Sequence, residues 1–174
     1  MTRSTPLNVA RFLAILTLVL HSASSYAQDV LAEIAKHQER IVRIENDFRA
    51  SQRRILASVN TMSAQELTYE HLNSVGNILS SAYQEFQALT YSLMLAALVT
   101  DKRAIPQARR IVEAQEEAMA RQFQANTKFT EKTLASAKDP ETNRLLLDAR
   151  DVLKASTDLV IRLKTSNSKG LATK

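Results

Sequence analysis

Apolar residues recur at steps of three, four and seven along the chain, and this spacing predicts long amphipathic helices. From Asp29 to Asn60 there is no proline or glycine, and Ile34, Ile41 and Phe48 follow one another at intervals of seven. That interval keeps apolar side chains on one side of a helix, as in coiled coils. The charged residues lie mostly off this stripe, so we predict one long helix over the whole stretch.

Two further helices follow, and each has a start signal. Ser63 and Glu66 form a capping-box pattern, in which two backbone N–H groups gain side-chain partners. Pro106 suits the first turn of the next helix, where its missing N–H costs nothing. The second helix carries Leu67, His71, Val75, Ile78, Ala82, Phe86, Leu89, Leu93 and Ala97, and the third carries Ile105, Ala108, Val112, Met119, Phe123 and Leu134.

A fourth helix is predicted from Asp139 as its cap and Pro140 in its first turn. Its apolar stripe ends near Lys164, and the tail 166–174 has too little apolar content to fold. The stripe consists of Leu145, Ala149, Val152, Leu159 and Leu163, with Leu146, Leu153 and Val160 beside it.

The connections between these helices are short, which makes neighbouring helices antiparallel. We therefore predict an all-α fold, an up-down-up-down antiparallel four-helix bundle over residues 28–165. The alternative is a pair of extended helical hairpins that complete their core by forming a homodimer. The pattern of apolar positions is the same in both arrangements.

The segment 1–27 has a different pattern, typical of a signal peptide. An apolar block runs from Phe12 to Leu20 with Arg11 before it, and it is too short to span a membrane as an ordinary helix. Small residues precede the junction between Ala27 and Gln28, as signal peptidase requires. We predict cleavage there and export, to the bacterial periplasm or outside the cell; an uncleaved membrane anchor is the alternative.

Composition narrows the chemistry of the exported part. Removing 27 of 174 residues leaves 147, and losing two arginines leaves 21 basic against 18 acidic residues, a net charge of +3. The chain has no cysteine, which excludes disulfides, a cysteine nucleophile, iron–sulfur clusters and thiolate zinc sites. With two glycines and three prolines it has little material for hairpin turns, so an all-β fold is disfavoured.

No residue pattern predicts a metal or cofactor. His37 and His71 would lie about 22 Å apart along antiparallel helices, and neither has a glutamate three residues before it, as di-iron bundles require. We expect both histidines to be partly buried near a helix seam. Met62, Met94 and Met119 indicate core filling rather than haem ligation.

Catalysis is not predicted either. The serines lack a Gly-x-Ser-x-Gly turn, and a slim bundle offers little cleft for paired acids. We expect the carboxylates to lie on solvated helix faces, among them Glu116, Glu117, Asp148 and Asp151.

Polar residues interrupt the third apolar stripe and suggest a binding site. Gln115, Gln122 and Asn126 could line a small pocket for a polar ligand, as in sensor-type periplasmic bundles. The competing interpretation is control of helix register, because buried amides penalise wrong pairings.

One end of the predicted bundle combines apolar and basic residues. An apolar run from Leu89 to Val99 precedes a basic turn, and the end of the fourth helix meets it in space. We predict docking on an anionic surface, either membrane headgroups or an acidic patch of a protein, although helix dipoles and burial could also explain these residues. The predicted surface comprises Lys102, Arg103, Arg109, Arg110, Arg162 and Lys164 with Leu93, Leu95 and Leu98.

These observations predict a non-enzymatic exported bundle that binds a protein partner or the cell envelope peripherally. It could act as a secretion or conjugation accessory, an adaptor or an inhibitor. The alternative is a periplasmic bundle that binds a small ligand or cofactor. Nucleic acid is not expected as a partner, because the signal directs the chain away from it and aromatic residues are not interleaved with the cations.

Overall fold

A computed structural model describes the backbone of residues 25–58 and 62–170, and the side chains of 29–55, 57 and 69–165. Within these ranges the regular structure consists of four α-helices and no strand. They are α1 (Ser25–Ser58), α2 (Met62–Leu98), α3 (Ile105–Ser136) and α4 (Pro140–Gly170). The prediction of an all-α chain with four long helices is confirmed.

Contacts between helices show the pairing that the short connections require. Arg162 near the end of α4 bonds Glu33 near the start of α1 at 2.6 Å, and Arg54 at the far end of α1 bonds Glu141 at the start of α4 at 3.2 Å. These two pairs make α1 and α4 antiparallel. On the other side of α1, the Phe48 ring lies beside Gly76 of α2.

The second half of the bundle is joined in the same way. Lys154 of α4 pairs with Glu131 of α3 at 2.8 Å. The Phe86 ring of α2 stacks on Phe123 of α3 with ring centroids 5.4 Å apart. Each helix therefore packs on the next one in sequence, and α4 closes the arrangement by packing on α1, as in a four-helix bundle.

The apolar stripes of all four helices meet in one core. Ile34, Ile41 and Phe48 of the seven-residue pattern are buried, and so are Ile55, seven residues further on, and Met119. Each large apolar side chain buried in this way contributes about 1.5–3 kcal/mol relative to exposure. The periodicity of the sequence therefore identified the core of α1 correctly.

The helix ends agree with the sequence signals where they are described. Asp139 accepts a 2.7 Å hydrogen bond from the Thr142 backbone N–H, so it caps α4, and Pro106 lies in the first turn of α3. The side chains of the predicted capping box, Ser63 and Glu66, lie outside the described residues.

The terminal helices extend beyond the predicted boundaries. The backbone of α4 continues to Gly170, so the predicted tail overlaps the helix over residues 166–170, and residues 171–174 lie outside the described part. The predicted cleavage junction, Ala27 and Gln28, lies in the first turn of α1. Residues 1–24 of the predicted signal peptide lie outside the described part.

Candidate docking tip

A short turn between α2 and α3 forms the tip of the bundle. The Asp101 backbone carbonyl accepts hydrogen bonds from the N–H groups of Ala104 and Ile105, and its side chain accepts one from the Arg103 N–H at 2.9 Å. Asp101 therefore holds the turn through both its backbone and its carboxylate. The side chains of Lys102 and Arg103 project from this turn into solvent.

Large apolar side chains beside the turn are exposed. Leu95 is 67 % exposed, Leu98 is 54 % exposed, and Ile111 on α3 is 57 % exposed. Exposed leucines and isoleucines close to one another commonly mark an interaction surface. Ile111 was not among the predicted residues, because it lies directly before Val112 and off the apolar stripe of α3.

The predicted apolar run is thus divided between two faces of α2. Leu93 packs partly against the core and Met94 is buried, so neither is available for docking.

Ser80 and Leu98 are separated by about five full turns, at roughly 100° per residue, so both lie on one side of α2. Because Ser80 donates a hydrogen bond to Glu45, that side of α2 is the one beside α1.

The predicted cations differ in how much of their charge is available to bind an anionic partner. Arg162 pairs with Glu33 at 2.6 Å, which reduces the charge that it presents. Lys164 lies 3.9 Å from Glu117, whose carboxylate also pairs with Arg121 at 2.7 Å. Arg109 is half-buried, and its Nε has no hydrogen-bond partner among the described residues.

Three cations remain well exposed at the tip. Arg103 lies 3.6 Å from Asp101, but its side chain is 94 % exposed, so this pair is worth little. Lys102 and Arg110 are exposed and form no ion pair with any described residue. We use the term cationic tip for the following residues: Leu95, Leu98, Lys102, Arg103, Arg110 and Ile111.

The start of α1 lies at the same end of the bundle. Glu45 of α1 is bonded to Ser80 of α2, and the two helices are antiparallel. The number of residues from Ser25 to Glu45 is nearly the same as the number from Ser80 to Val99. The first residue of α1 is therefore level with the turn, at the same end of the bundle as the cationic tip.

The three predicted seam residues do not lie together in the core. Asn126 is buried and Gln115 is partly buried, but Gln122 is exposed, so its placement in the seam was wrong. Gln122 lies at the edge of the α3 stripe, one residue before the buried Phe123. The three amides therefore do not form the lining of one pocket.

Other polar residues of α3 are buried and satisfied by their own helix. The hydroxyls of Thr127, Thr130 and Thr133 donate to the carbonyl oxygens of the residues four positions earlier, at 2.8–3.0 Å. A hydroxyl that is bonded to its own backbone needs no ligand. These threonines support helix packing rather than a binding site.

Glu116 was predicted on a solvated face and is instead completely buried, with no exposed surface. It follows Val112 by four residues and precedes Met119 by three, so it occupies a core position of the helical repeat. The spacing of the stripe could have revealed this. The charge of the residue suggested solvent, whereas its phase on the helix places it in the core.

The two histidines have different environments. His37 is partly buried, as predicted; its Nε2 lies 2.8 Å from Ser156 Oγ, and its ring meets the edge of Phe86. Ser156 donates its own hydroxyl hydrogen to the Val152 carbonyl, so the Nε2–H of His37 is the donor to Ser156. His71 is exposed, so its predicted burial was wrong.

Burial is the main cause that lowers the pKa of His37 from 6.5 to about 4. The positive charges of Arg40 and Arg162 also lower it, and the negative charge of Glu33 raises it by a smaller amount. The ring is therefore neutral near pH 7. A neutral imidazole can hold the hydrogen bond to Ser156 in the core without burying a charge.

Metal ligation and membrane spanning find no support in the described part of the chain. Within the described ranges, no group of three or more histidine and carboxylate side chains could hold a metal ion. Within the same ranges, no helix has the length and apolar content needed to cross a bilayer.

Comparisons with protein-family models, with curated proteins and with solved structures found no significant match to this chain.

Proposed function

We propose that the chain is an exported, non-enzymatic helical bundle that docks through its cationic tip onto an anionic surface of the cell envelope. The observation that carries the proposal is that exposed Leu95, Leu98 and Ile111 lie at the same end of the bundle as exposed Lys102, Arg103 and Arg110. Apolar side chains supply contact area and cations supply attraction, and both are concentrated at one end of the bundle.

Export is part of this proposal. The short apolar block, the cationic residues before it and the small residues before Gln28 favour a cleaved signal peptide. A periplasmic location is favoured, and secretion is the other destination. In either compartment a disulfide-free bundle depends on packing alone, which the continuous core of four stripes supplies.

The cellular role that fits this mode of action is that of an accessory, an adaptor or an inhibitor, since the tip offers contact rather than chemistry. A small-ligand bundle has less support. Its site was predicted on Gln115, Gln122 and Asn126, and Gln122 faces solvent.

The experiment is retention of the protein by envelope fractions. The protein is purified after export from cells that express the full chain, and mass spectrometry must find Gln28 as its first residue. We expect binding at low salt that weakens as salt screens the cations. The variant Lys102→Gln/Arg103→Gln should bind roughly 30-fold more weakly, because each cation near an anionic surface contributes about 1 kcal/mol.

The matched control changes the same charge elsewhere. Lys132→Gln/Lys138→Gln removes two exposed cations from the opposite half of the bundle and should bind like the unmodified protein. Equal losses in both variants would mean that overall charge, and not the tip, governs retention, and the proposal would be wrong.

A further inference from the structure

We infer that the cationic tip binds the surface of an anionic phospholipid bilayer, with Leu95 and Leu98 entering the boundary between headgroups and acyl chains. This inference rests on the proposed function, since it names the partner of the same tip. It adds a chemical class of ligand and an orientation of the bundle.

The positions of the apolar residues suit shallow insertion. Leu98 is the last residue of α2, and Leu95 lies three residues earlier, about 4.5 Å away at about 1.5 Å per residue. Tyr91 is exposed about 10 Å from the helix end and lies within about 20° of the Ser80 side of α2. Peripheral helices bury apolar residues about 5–10 Å into this boundary, and tyrosines are enriched at its polar edge.

The same residues determine the orientation. Leu98 and Tyr91 lie on the side of α2 and not on its end, so they can enter a bilayer only when the bundle axis is tilted. The turn then lies along the headgroup layer. Lys102 and Arg103 project from that turn, where their long side chains can reach lipid phosphates while the leucines are inserted.

The position of the leader favours lipid over protein as the partner. The start of α1 is level with the turn and beside the Leu98 side of α2. Only five Cα steps separate Leu20, the end of the apolar block, from Ser25, so the connection spans at most about 18 Å. A leader still held in a membrane would therefore keep the start of α1, and with it the cationic tip at the same end, close to that membrane.

The side chains of the tip suit a fluid partner. Lys102 and Arg103 lie on an exposed turn, and Leu95 and Leu98 are exposed on the last turn of α2. Tight protein complexes require close shape complementarity at their centre. A bilayer surface adapts to the tip and supplies both the negative charge and the apolar interior that these residues match.

The test is flotation of the exported protein with vesicles of phosphatidylglycerol mixed with phosphatidylcholine, and with vesicles of phosphatidylcholine alone. We expect binding to the anionic vesicles only. Leu95→Ser/Leu98→Ser should reduce that binding on the order of tenfold. Phe129→Ser/Leu147→Ser, which removes two exposed apolar residues away from the tip, should leave it unchanged. Circular dichroism checks that each variant keeps its helices.

Insertion can be measured directly because the chain contains no cysteine. A solvent-sensitive fluorophore on Leu98→Cys should shift to shorter wavelength with anionic vesicles and be quenched by brominated acyl chains. The same label on Phe129→Cys should do neither. A label at position 98 that stays in water while the protein binds would overturn the inserted orientation.

The outcomes separate this inference from the proposed function. Retention by envelope fractions through Lys102 and Arg103, without binding to anionic vesicles, would mean that the partner is an envelope component other than the phospholipid bilayer. That result would overturn the lipid inference and leave the proposed function standing. Failure to bind either the fractions or the vesicles would overturn both.

Discussion

The environment of His37 shows how burial alters the acid–base behaviour of a single residue. The unfolded chain binds a proton on this residue near pH 6.5, whereas the folded protein binds it only near pH 4. Between these values the unfolded state holds more protons than the folded state. The contribution of His37 to folding stability is therefore fully present above pH 6.5 and is lost as the pH falls towards 4.

We predict that His37→Gln has a shallower loss of stability than the unmodified protein over this range. The measurement is the free energy of unfolding by urea at several pH values between 7.5 and 4.5. His71→Gln is the matched control, because His71 is exposed and replacing it leaves the environment of His37 intact. Parallel curves for the unmodified protein and His37→Gln would contradict the prediction.

Glu116 and Gln122 were misplaced for different reasons. On α3 the buried positions Val112, Met119 and Phe123 set the phase of the helix. The charge of Glu116 suggested solvent, but its phase places it in the core. Gln122 was assigned to the seam from its place in the apolar stripe, but it lies at the margin of that stripe and is exposed.

Among the helices, α2 contains a glycine where its geometry does not require one. Gly76 is buried, and no described glycine has a positive φ angle. A Cβ atom added at Gly76 would lie 3.8 Å from the Cδ1 and Cε1 atoms of Phe48, which is an ordinary van der Waals distance. The site therefore has room for one methyl group.

We predict that Gly76→Ala stabilises the protein by about 0.5–1 kcal/mol, because alanine restricts the unfolded chain and has a higher helix propensity. Thermal unfolding should shift upward by roughly 2–4 °C for each kcal/mol. Gly76→Val tests the space: its additional branches must displace the Phe48 ring and should destabilise the protein. A lower melting temperature for Gly76→Ala would show that α1 and α2 pack more tightly than the contacts between Gly76 and Phe48 indicate.

Packing of the whole molecule bears on the alternative of two hairpins that complete their core by dimerising. In the structure, stripes from all four helices of one chain meet in a single core. The core that the second chain would supply is already present. Exposed large apolar residues of the described part lie at the cationic tip and at other positions such as Val42, Phe129, Leu147 and Ile161.

We predict that the exported protein is a monomer in solution. Sedimentation equilibrium should give the mass of one chain over a hundredfold range of concentration. A species of two chains that persists on dilution would contradict this. If Leu95→Ser/Leu98→Ser then restored the monomer, the dimer contact would lie at the tip.

The number of helices, the starts of α3 and α4 and the core stripe of α1 could all be predicted from the order of residues alone. These features depend on neighbours within a few turns: apolar spacing, a proline in a first turn and the Asp139 cap.

Which of the residues predicted for docking are available could be decided only from the packing of the whole molecule. Leu93, Leu95 and Leu98 have the same chemistry, but only Leu93 packs on the core. Arg162 and Lys164 find acids on α1 and α3, while Lys102 and Arg110 lie beyond such acids. Availability depends on what the other helices place alongside each residue, and that is not encoded in the local pattern.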